Sequence, residues 1–392
     1  MSTKSRLGIL ILTPFYSPNI GGAEAHLASL VKYLRDQKGH KVYVITYQPL
    51  TTRLKAPNRE QEGNLTVYRI KWFGYNWFPK LEKIPFMAFI YLFPGLFIYT
   101  LLFLLKKRKE INVLHAQGFV AGAVGRIVSE LFTIRSVIST YAIYETQQKL
   151  ITAIVLGWIL RGYDRILAFS ELSKRELTEI GVPEEKISKY VYWVDQNVFR
   201  PLGKLECRRK VGWDNKFVVL FVGRLIKIKG AELMIEAAKR VKEGIYFTFI
   251  VTGSYEDFVA MGGKDDNIIY IDVDPKLEHS QRRHLLNIYY NAADVVVIPS
   301  QYAEGFVHVA LEALSAGTPI LASKMGCLPE IVDSSVGELI DPPTVDSFIE
   351  RIEFYYNNPQ KLALLARNCV AYAQHNFSTS NAELIERSYY DS

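Results

Sequence analysis

Residues 216–253 read KFVVLFVGRLIKIKGAELMIEAAKRVKEGIYFTFIVTG. Two continuous apolar runs, 216–223 and 246–253, flank a stretch from Ala231 to Lys242 whose apolar residues recur at helical spacing. Continuous apolar strands are typical of parallel sheets, because helices cover both faces of such sheets. The segment therefore predicts a strand–helix–strand unit, the building block of a parallel α/β domain.

The same alternation extends outward through most of the chain. A helix is predicted from Glu24 to Lys38, and another from Glu171 with Ser170 as its cap. Further strands are predicted at 7–13, 41–47, 64–70, 112–117, 136–141, 165–170, 267–273 and 294–300. The pattern predicts an α/β fold of two Rossmann-like domains facing each other across a central cleft. Such domains bind ligands at the carboxyl ends of their strands.

The length of 392 residues also fits two domains better than one. Pro201 and Gly203 punctuate residues 195–204, where we place the linker. The predicted domains are 1–200 and 201–375, and we expect 376–392 to form a helix that returns to the first domain.

Composition excludes several classes of protein. With 49% hydrophobic and 22% charged residues, the chain can build sizeable cores and is not expected to be disordered. Three scattered cysteines, Cys207, Cys327 and Cys369, exclude a disulfide framework and suit a reducing cytosol. The net charge of +7 favours phosphates or membrane surfaces as partners, unless the protein is simply basic. No nucleic-acid-binding motif is present, and the apolar run 7–13 is expected to be a buried strand, not a signal peptide.

The richest chemical segment is PSQYAEGFVHVALEALSAGTPILASKMGCLPEIV (299–332). Glu304 and Glu312 stand eight positions apart, with Gly305, Phe306 and Val307 leading into a predicted helix. Amides at a helix N-terminus bind anions or sugar hydroxyls, and a carboxylate one or two turns along can accept from a ribose. The alternative is an amphipathic helix with incidental acids.

Two cations follow the strand at 216–223. Arg224 comes directly after it, and Lys229 precedes Gly230 at a predicted helix start. Fixed cations beside helix amides suit a pyrophosphate leaving group, whose charge grows during the reaction. The alternative is a pair of solvated surface cations.

The N-terminal half offers weaker candidates. Gly21 and Gly22 follow the first strand and permit a close approach of backbone to ligand. Glu24 and His26 come next and are candidate acceptor contacts, although Glu24 could equally cap the helix. His115 lies near the end of the strand 112–117, where a lone histidine is more often structural.

Taken together, these motifs resemble glycosyltransferase family 4, which has the GT-B fold, and the resemblance covers nearly the whole chain. The family motif E-G-F-x5-E matches Glu304 to Glu312, and small-small-Gly-x-Pro matches residues 315–319. The resemblance implies that Arg224 and Lys229 hold the donor diphosphate and that Glu312 holds the ribose.

The resemblance also implies roles for the remaining candidates. Glu304 and the amides of residues 305–307 would address sugar hydroxyls or phosphate. The double glycine would border the donor phosphates and the acceptor site, and His115 would lie beside the transferred sugar. It further implies a retaining, front-face reaction in which the leaving phosphate helps to deprotonate the acceptor.

Some positions depart from the family pattern. The chain has Thr140-Tyr141-Ala142 where relatives have Thr-x-His, and residues 192–195 read YWVD where relatives have Asn-Gly-Val-Asp. Val307 and Cys327 also replace frequent small residues. These departures weaken any inference about the acceptor and the sugar.

We expect no metal and no cofactor. Asp272 and Asp274 match the D-x-D that chelates a divalent ion in the other large glycosyltransferase fold. They follow an ordinary strand of the second domain, however, and Arg224 and Lys229 already supply positive charge.

Residues 85–109 combine 21 uncharged residues with a basic run, Lys106 to Lys109. Length and hydropathy alone make this a candidate membrane span. Strands before and after it should share one sheet, and Pro94-Gly95 interrupts it, so we expect a pair of helices or a surface lying on the bilayer. The alternative is a buried core helix.

The sequence thus predicts a metal-independent hexosyltransferase, peripheral on the cytosolic membrane face. It would move a sugar from a UDP- or GDP-sugar to a lipid-linked or glycan acceptor. Two alternatives remain open: another GT-B enzyme, such as an epimerase or phosphorylase, and a non-catalytic membrane-bound binding protein.

Overall fold

The computed structural model describes residues 6–19, 21–52, 54–73, 77–81, 84–141, 150–214, 216–252, 254–272, 277, 279–305 and 307–390. The chain divides into two compact units. Unit 1 comprises Met1–Tyr192 and Ser380–Ser392, and unit 2 comprises Trp193–Thr379. Residues 193–200, assigned above to the first domain, are therefore part of unit 2.

Unit 1 is built on a sheet in which eight strands of the described chain take part. Its strand order is β3-β4-β2-β1-β5-β6-β7-β8, and β3 alone of these runs antiparallel to its neighbour. The strands are β1 (Gly8–Leu12), β2 (Lys41–Tyr47), β3 (Arg59–Glu62), β4 (Leu65–Ile70), β5 (Val113–Gln117), β6 (Arg135–Ser139), β7 (Arg165–Ala168) and β8 (Ile187–Lys189). The chain leaves β1 toward one edge and β5 toward the other, so the strand order reverses between these two neighbours.

Helices cover both faces of this sheet. They are α1 (Gly22–Lys32), which a π-helical turn at Tyr33–Gln37 extends, α2 (Phe78–Leu81), α3 (Pro85–Lys107), α4 (Gly118–Phe132), α5 (Leu150–Arg161) and α6 (Glu171–Glu179). Because right-handed crossovers are the rule, α3, α4 and α5 lie on one face, and α1, whose crossover runs the other way, lies on the opposite face. As predicted, Ser170 caps α6, with its Oγ accepting from the Ser173 N–H at 3.0 Å.

The predicted interruption at Pro94-Gly95 is wrong, because α3 is one helix of 23 residues with Pro94 inside it. Pro94 lacks the N–H that would donate to the Ile90 carbonyl, and its ring disturbs the adjacent turn. Here the indole Nε1 of Trp72 donates to the Tyr91 carbonyl at 2.8 Å, and the Tyr47 hydroxyl donates to the Leu92 carbonyl. Side chains from the sheet edge thus stabilise the helix around its proline.

The helix α3 is apolar on all sides. Its inner stripe, which includes Leu92, Leu96 and Leu104, is buried in the core of unit 1. Its outer stripe is exposed: Phe86 is 70% exposed, Ile98 53% and Leu105 66%. By length and composition residues 86–110 could cross a membrane, although a third of the most apolar window is buried within the protein. In this fold α3 is a crossover helix joining β4 to β5, as the shared sheet requires.

Unit 2 has a parallel sheet in which six described strands have the order β11-β10-β9-β12-β13-β14. The strands are β9 (Phe217–Arg224), β10 (Ile245–Thr252), β11 (Ile268–Ile271), β12 (Val295–Ile298), β13 (Ile320–Ser323) and β14 (Gly337–Ile340). Its helices are α7 (Lys204–Val211), α8 (Ala231–Arg240), α9 (Tyr255–Ala260), α10 (His279–Ala292), α11 (His308–Ala316), α12 (Leu328–Ile331), α13 (Val345–Asn357) and α14 (Pro359–Asn376). The order reverses between β9 and β12, and such a reversal opens a ligand-binding crevice at the carboxyl ends of the strands.

The last helix, α15 (Ala382–Arg387), belongs to unit 1. Its buried Glu386 accepts from Lys38 Nζ at 3.1 Å and lies 3.3 Å from His40 Nε2. The main-chain N–H of Leu7 donates to His40 Nδ1, so the proton of a neutral His40 ring is on Nε2 and points to Glu386. These contacts attach the end of the described chain to the N-terminal sheet.

Candidate functional site

The carboxyl ends of β9 and β12 bring together the two donor motifs found in the sequence. The Gln301 N–H donates to the Ile228 carbonyl at 2.8 Å, which joins the loop after β12 to the turn after β9. Gly230 has a φ of +76°, and a Cβ there would lie 2.0 Å from the Pro299 carbonyl oxygen. Glycine is therefore required at this close approach, which fixes the position of the neighbouring Lys229.

Lys229 and Glu304 form an ion pair at the centre of this region. The Glu304 side chain is 4% exposed and that of Lys229 21%. The second oxygen of Glu304 accepts from the Ser300 hydroxyl. The sequence found both residues but not their pairing, since 75 positions separate them and nothing local signals the contact. Glu304 thus holds the lysine as well as being a candidate to contact sugar.

Arg224 ends β9, and its side chain is exposed. Among the described residues it has no hydrogen-bond or ion-pair partner, so its guanidinium is available to an anion. Lys229 Nζ lies 5.8 Å from the centre of the Tyr302 ring. Burial and the nearby Glu304 carboxylate raise the pKa of Tyr302, and the charge of Arg224 opposes this. The region therefore has one paired and one unpaired cation beside a carboxylate.

Glu312 lies in the middle of α11, one turn beyond its first residue. Its carboxylate accepts from the Tyr290 hydroxyl of α10 at 2.8 Å. Burial raises the pKa of Glu312 to about 7, although the hydrogen bond from Tyr290 and the charge of Arg283 act in the opposite direction. A carboxyl poised near neutrality can accept from ligand hydroxyls in its ionised form.

The residues before α11 are only partly described. Val307 is the N-cap residue of α11 and is buried, and Gly305 is half-buried two positions earlier. Phe306 lies outside the described residues. The Cys327 N–H donates to the Glu304 carbonyl at 3.3 Å, which holds this loop against the segment after β13.

In unit 1 the loop after β1 is anchored by Asn19. Its Oδ1 accepts from the N–H groups of Leu50 and Thr51, and its Nδ2 donates to the Tyr16 carbonyl. Gly21, the N-cap of α1, is extended, so a strained turn is not the reason for glycine. A Cβ on Gly21 would instead lie 2.1 Å from a carboxylate oxygen of Glu24. Gly22 begins the helix.

Two predicted contacts lie in the interior of unit 1. His115 is fully buried, with Nδ1 2.8 Å from the Tyr389 hydroxyl and Nε2 2.8 Å from the Ser139 hydroxyl. Burial lowers its pKa to about 3. His26 is also buried, on the inner side of α1, with its ring stacked on Tyr192 at 4.0 Å. This geometry does not favour a direct contact between either histidine ring and a substrate, because protein encloses both rings.

A cavity of about 260 Å³ lies where β1 and β5 end. Glu24 lines it, and so does Gln117, the last residue of β5 and a residue that the sequence reasoning missed. Gln117 is two positions beyond His115 and is 3% exposed. Its Oε1 accepts from the Tyr141 hydroxyl, and its Nε2 has no partner among the described residues. The strand alternation could have indicated Gln117, because it ends the strand at the reversal of sheet order.

Two protein-family models match this chain. Residues 204–375 match the glycosyl transferases group 1, and residues 20–189 match glycosyltransferase family 4. The chain belongs to the glycosyltransferases. The predicted family and the predicted pair of Rossmann-like domains are both confirmed.

Individual relatives agree with this glycosyltransferase assignment. A D-inositol 3-phosphate glycosyltransferase of Segniliparus rotundus is 26% identical over 288 residues, covering 67% of this chain and 62% of the relative. Sucrose-phosphate synthase from Thermosynechococcus elongatus has a TM-score of 0.81 at 20% identity and 98% coverage of each chain. Anabaena HepE, solved in complex with UDP and glucose, has a TM-score of 0.74 at 19% identity, with 98% and 99% coverage. These structures show the shared GT-B fold.

Within the described part of this glycosyltransferase, no three His, Cys, Asp or Glu residues are grouped to hold a metal ion. Asp272 is exposed after β11, and Asp274 lies outside the described residues, so the D-x-D lookalike is only partly described. Arg224 and Lys229 supply positive charge near the donor motifs.

Proposed function

We propose that this glycosyltransferase is a retaining, metal-independent hexosyltransferase that uses a UDP- or GDP-sugar, with UDP favoured. Its acceptor is a lipid-linked or glycan hydroxyl, and it acts at the cytosolic face of a membrane. The observation that carries the proposal is the grouping of Arg224, Lys229 and Glu304 where β9 and β12 end, at the reversal of sheet order.

The donor assignment follows from the charges of this region. Arg224 and Lys229 can stabilise the two negative charges of a diphosphate that leaves with the broken bond. Glu312, in the adjacent α11, accepts from ribose hydroxyls. UDP is favoured over GDP because a protein of the same fold, HepE, binds UDP.

The proposed reaction is a substitution at the anomeric carbon of the donor sugar. The acceptor oxygen forms a bond to that carbon on the face from which the diphosphate departs, and the carbon–oxygen bond to the diphosphate breaks. The proton of the acceptor hydroxyl passes to an oxygen of the leaving phosphate. Because the cations carry the charge of the leaving group, the step does not require a divalent ion.

The donor proposal is tested by nucleotide release from UDP-glucose and GDP-mannose, with and without glycan or glycolipid acceptors. Lys229→Ala should weaken UDP binding about 30-fold or more, as expected for a lost charge-assisted contact. Lys227→Ala is the matched control, because Lys227 is exposed in the same turn and has no partner in the described chain. Equal UDP affinity in both variants would contradict the site.

The same assay addresses the chemistry. Turnover should persist in excess chelator, and the product should keep the anomeric configuration of the donor, as read by proton NMR. Loss of turnover in chelator with recovery on adding manganese would mean that a metal is needed. Product formed without acceptor would favour an epimerase.

The membrane part of the proposal rests on the layer formed by α3, α4 and α5. On the other side of α4 from α3, α5 also exposes apolar side chains, with Ile154 60% and Trp158 53% exposed. We call the outer residues of α3 and α5 the apolar face. Lys106 and Lys109 lie at its end, and neither has a partner among the described residues. Lys107, by contrast, pairs with Glu110, and Arg108 donates to the Phe132 and Thr133 carbonyls.

A bilayer with anionic lipids suits this combination of aromatic, aliphatic and cationic side chains. Each unpaired lysine near such a surface contributes about 1 kcal/mol, so changing both should lower binding about 30-fold. Lys106→Gln/Lys109→Gln should therefore sediment poorly with vesicles of phosphatidylglycerol and phosphatidylcholine at low salt. The control, Lys32→Gln/Lys55→Gln, removes two exposed lysines from α1 and the loop after β2. Equal recovery of both variants in the supernatant would show that the lysines at the apolar face do not bind it to an anionic bilayer.

A further inference from the structure

The cavity at the ends of β1 and β5 differs in character from the donor region. Its wall is largely apolar and includes Phe15, Leu27, Leu92 and Phe119. Its polar groups are Thr13, Glu24, Gln117 and Tyr141. It lies within unit 1, at the second reversal of strand order, where parallel sheets bind ligands.

An unpaired donor marks the polar part of this cavity. Buried amide groups are almost always hydrogen-bonded, because leaving one unpaired costs about 1–3 kcal/mol. Gln117 uses its oxygen for the Tyr141 hydroxyl and leaves Nε2 without a partner in the described chain. A bound hydroxyl oxygen would satisfy the free N–H.

Glu24 supplies the complementary acceptor. Its side chain projects from the first turn of α1, and no other described residue donates to its carboxylate. Burial raises the pKa of Glu24. A hydroxyl between the two residues could accept from Gln117 and donate to Glu24, which satisfies both groups.

The charges around the cavity limit which class of ligand it can bind. Among the described lining residues there is no lysine, arginine or histidine, and Glu24 is an acid. A phosphate here would find no cation among these described residues and would meet a carboxylate. The apolar wall suits an alkyl or aryl group, or the C–H face of a sugar ring on Phe15 and Phe119.

We infer that this cavity binds the acceptor, and that the acceptor is an uncharged hydroxyl compound with an apolar face, held by Gln117 and Glu24. The inference rests on the proposed function and names the substrate class for it. It separates this chain from a relative named for inositol 3-phosphate, whose acceptor carries a phosphate. The apolar α3 also contributes Leu92 to the wall, so a neutral glycolipid is one acceptor of this class.

The test compares two probes by titration calorimetry on the full chain. Phenyl β-D-glucopyranoside represents the uncharged class and myo-inositol 1-phosphate the charged class. The glycoside should bind more tightly, and Gln117→Leu should weaken it about tenfold, as for one lost hydrogen bond in a buried site. Glu130→Gln, on the exposed side of α4, should have no effect. Tighter binding of the phosphate, or glycoside binding that Gln117→Leu does not alter, would overturn the inference.

A second pair of variants avoids the core of unit 1. Ala23 lines the cavity but is exposed on the first turn of α1, so it can be enlarged without disturbing packing. Ala23→Met should block the glycoside, and Ala23→Lys should block it while allowing inositol phosphate to bind. Equal affinity of both variants for each probe would also overturn the inference.

UDP binding separates this inference from the proposed function. If UDP binding depends on Lys229 but the two probes give one of the contradicting results described above, only the acceptor inference is wrong. If UDP does not bind, the proposed function itself falls.

Discussion

Replacing Lys229 by alanine should destabilise unit 2 as well as weaken donor binding. The change leaves the carboxylate of Glu304, 4% exposed, with the Ser300 hydroxyl as its remaining side-chain partner in the described structure. Removing one member of a buried ion pair costs about 3–5 kcal/mol. Because the Lys229 side chain is 21% exposed, water can reach the vacated position, and we expect about 3 kcal/mol.

For a unit the size of residues 193–379, about 3 kcal/mol corresponds to a fall of roughly 6–12 °C in the midpoint of thermal unfolding. Differential scanning calorimetry of the full chain measures it. The variant Lys229→Met/Glu304→Gln removes both charges and should recover most of the lost stability. It should still fail to bind UDP, since the recovered packing supplies no cation.

The double variant tests whether Lys229 and Glu304 are energetically coupled. If the effects of Lys229→Met and Glu304→Gln, each made singly, add up to that of the double variant within about 0.5 kcal/mol, then Lys229 and Glu304 are not energetically coupled. The close pair would then be a surface contact of little consequence. Lys227→Ala, in the same turn, should leave the unfolding midpoint unchanged.

Four further predictions concern the donor region. Because the pKa of Glu312 is raised to about 7, UDP affinity should fall by up to about tenfold per unit as the pH drops below 7, and Glu312→Gln should abolish this dependence. The same raised pKa makes ionisation of Glu312 destabilising. The protonated carboxyl therefore contributes stability below the usual carboxyl pKa, and this contribution is lost as the pH rises through 7. As the pH is raised from 5 to 8, the midpoint of thermal unfolding of Glu312→Gln should rise relative to that of the wild type. Gly230→Ala should cost about 1–3 kcal/mol of stability and reduce UDP affinity. The control Gly223→Ala should do neither, because a Cβ at Gly223 would make only ordinary contacts at 3.6 Å. Equal unfolding midpoints for the two variants would refute the steric argument. Arg224→Ala should lower turnover about 30-fold or more in a steady-state assay while leaving the unfolding midpoint in place, since Arg224 is exposed; unchanged turnover would remove it from the site.

Most strands of the two sheets could be predicted because they form continuous apolar runs that are buried on both faces. For example, β2 occupies the predicted residues 41–47, and β5 differs from the prediction by one residue. Four strands were not predicted. Two of these, β13 and β14, have only four residues each, and the other two gave no apolar signal. The sequence REQE of β3 is exposed throughout, at the edge of its sheet, and β8 has only three residues. Their pairing depends on the neighbouring strand, not on their own pattern.

The site could be predicted only where local sequence determines it. Lys229 and Gly230 follow a strand and precede a helix, so their local structure could be predicted from the sequence. The environment of His115 was not, because its two partners, Ser139 and Tyr389, come from positions 24 and 274 residues away. The contacts of Trp72 and Tyr47 with α3 near Pro94 were likewise not predictable, because the helix sequence does not contain these residues.

The attachment of residues 380–392 to unit 1 affects the order in which the chain can fold during synthesis. The central strand β5 is made early, but His115 within it lacks its Tyr389 partner until all of unit 2 has been translated. Glu386 arrives equally late for His40 and Lys38. Unit 1 therefore has unpaired polar groups in its interior throughout the time in which unit 2 is synthesised. Nascent unit 1 should be the part that chaperones hold, and a stop codon just before residue 380 should damage the N-terminal sheet more than the adjacent C-terminal one.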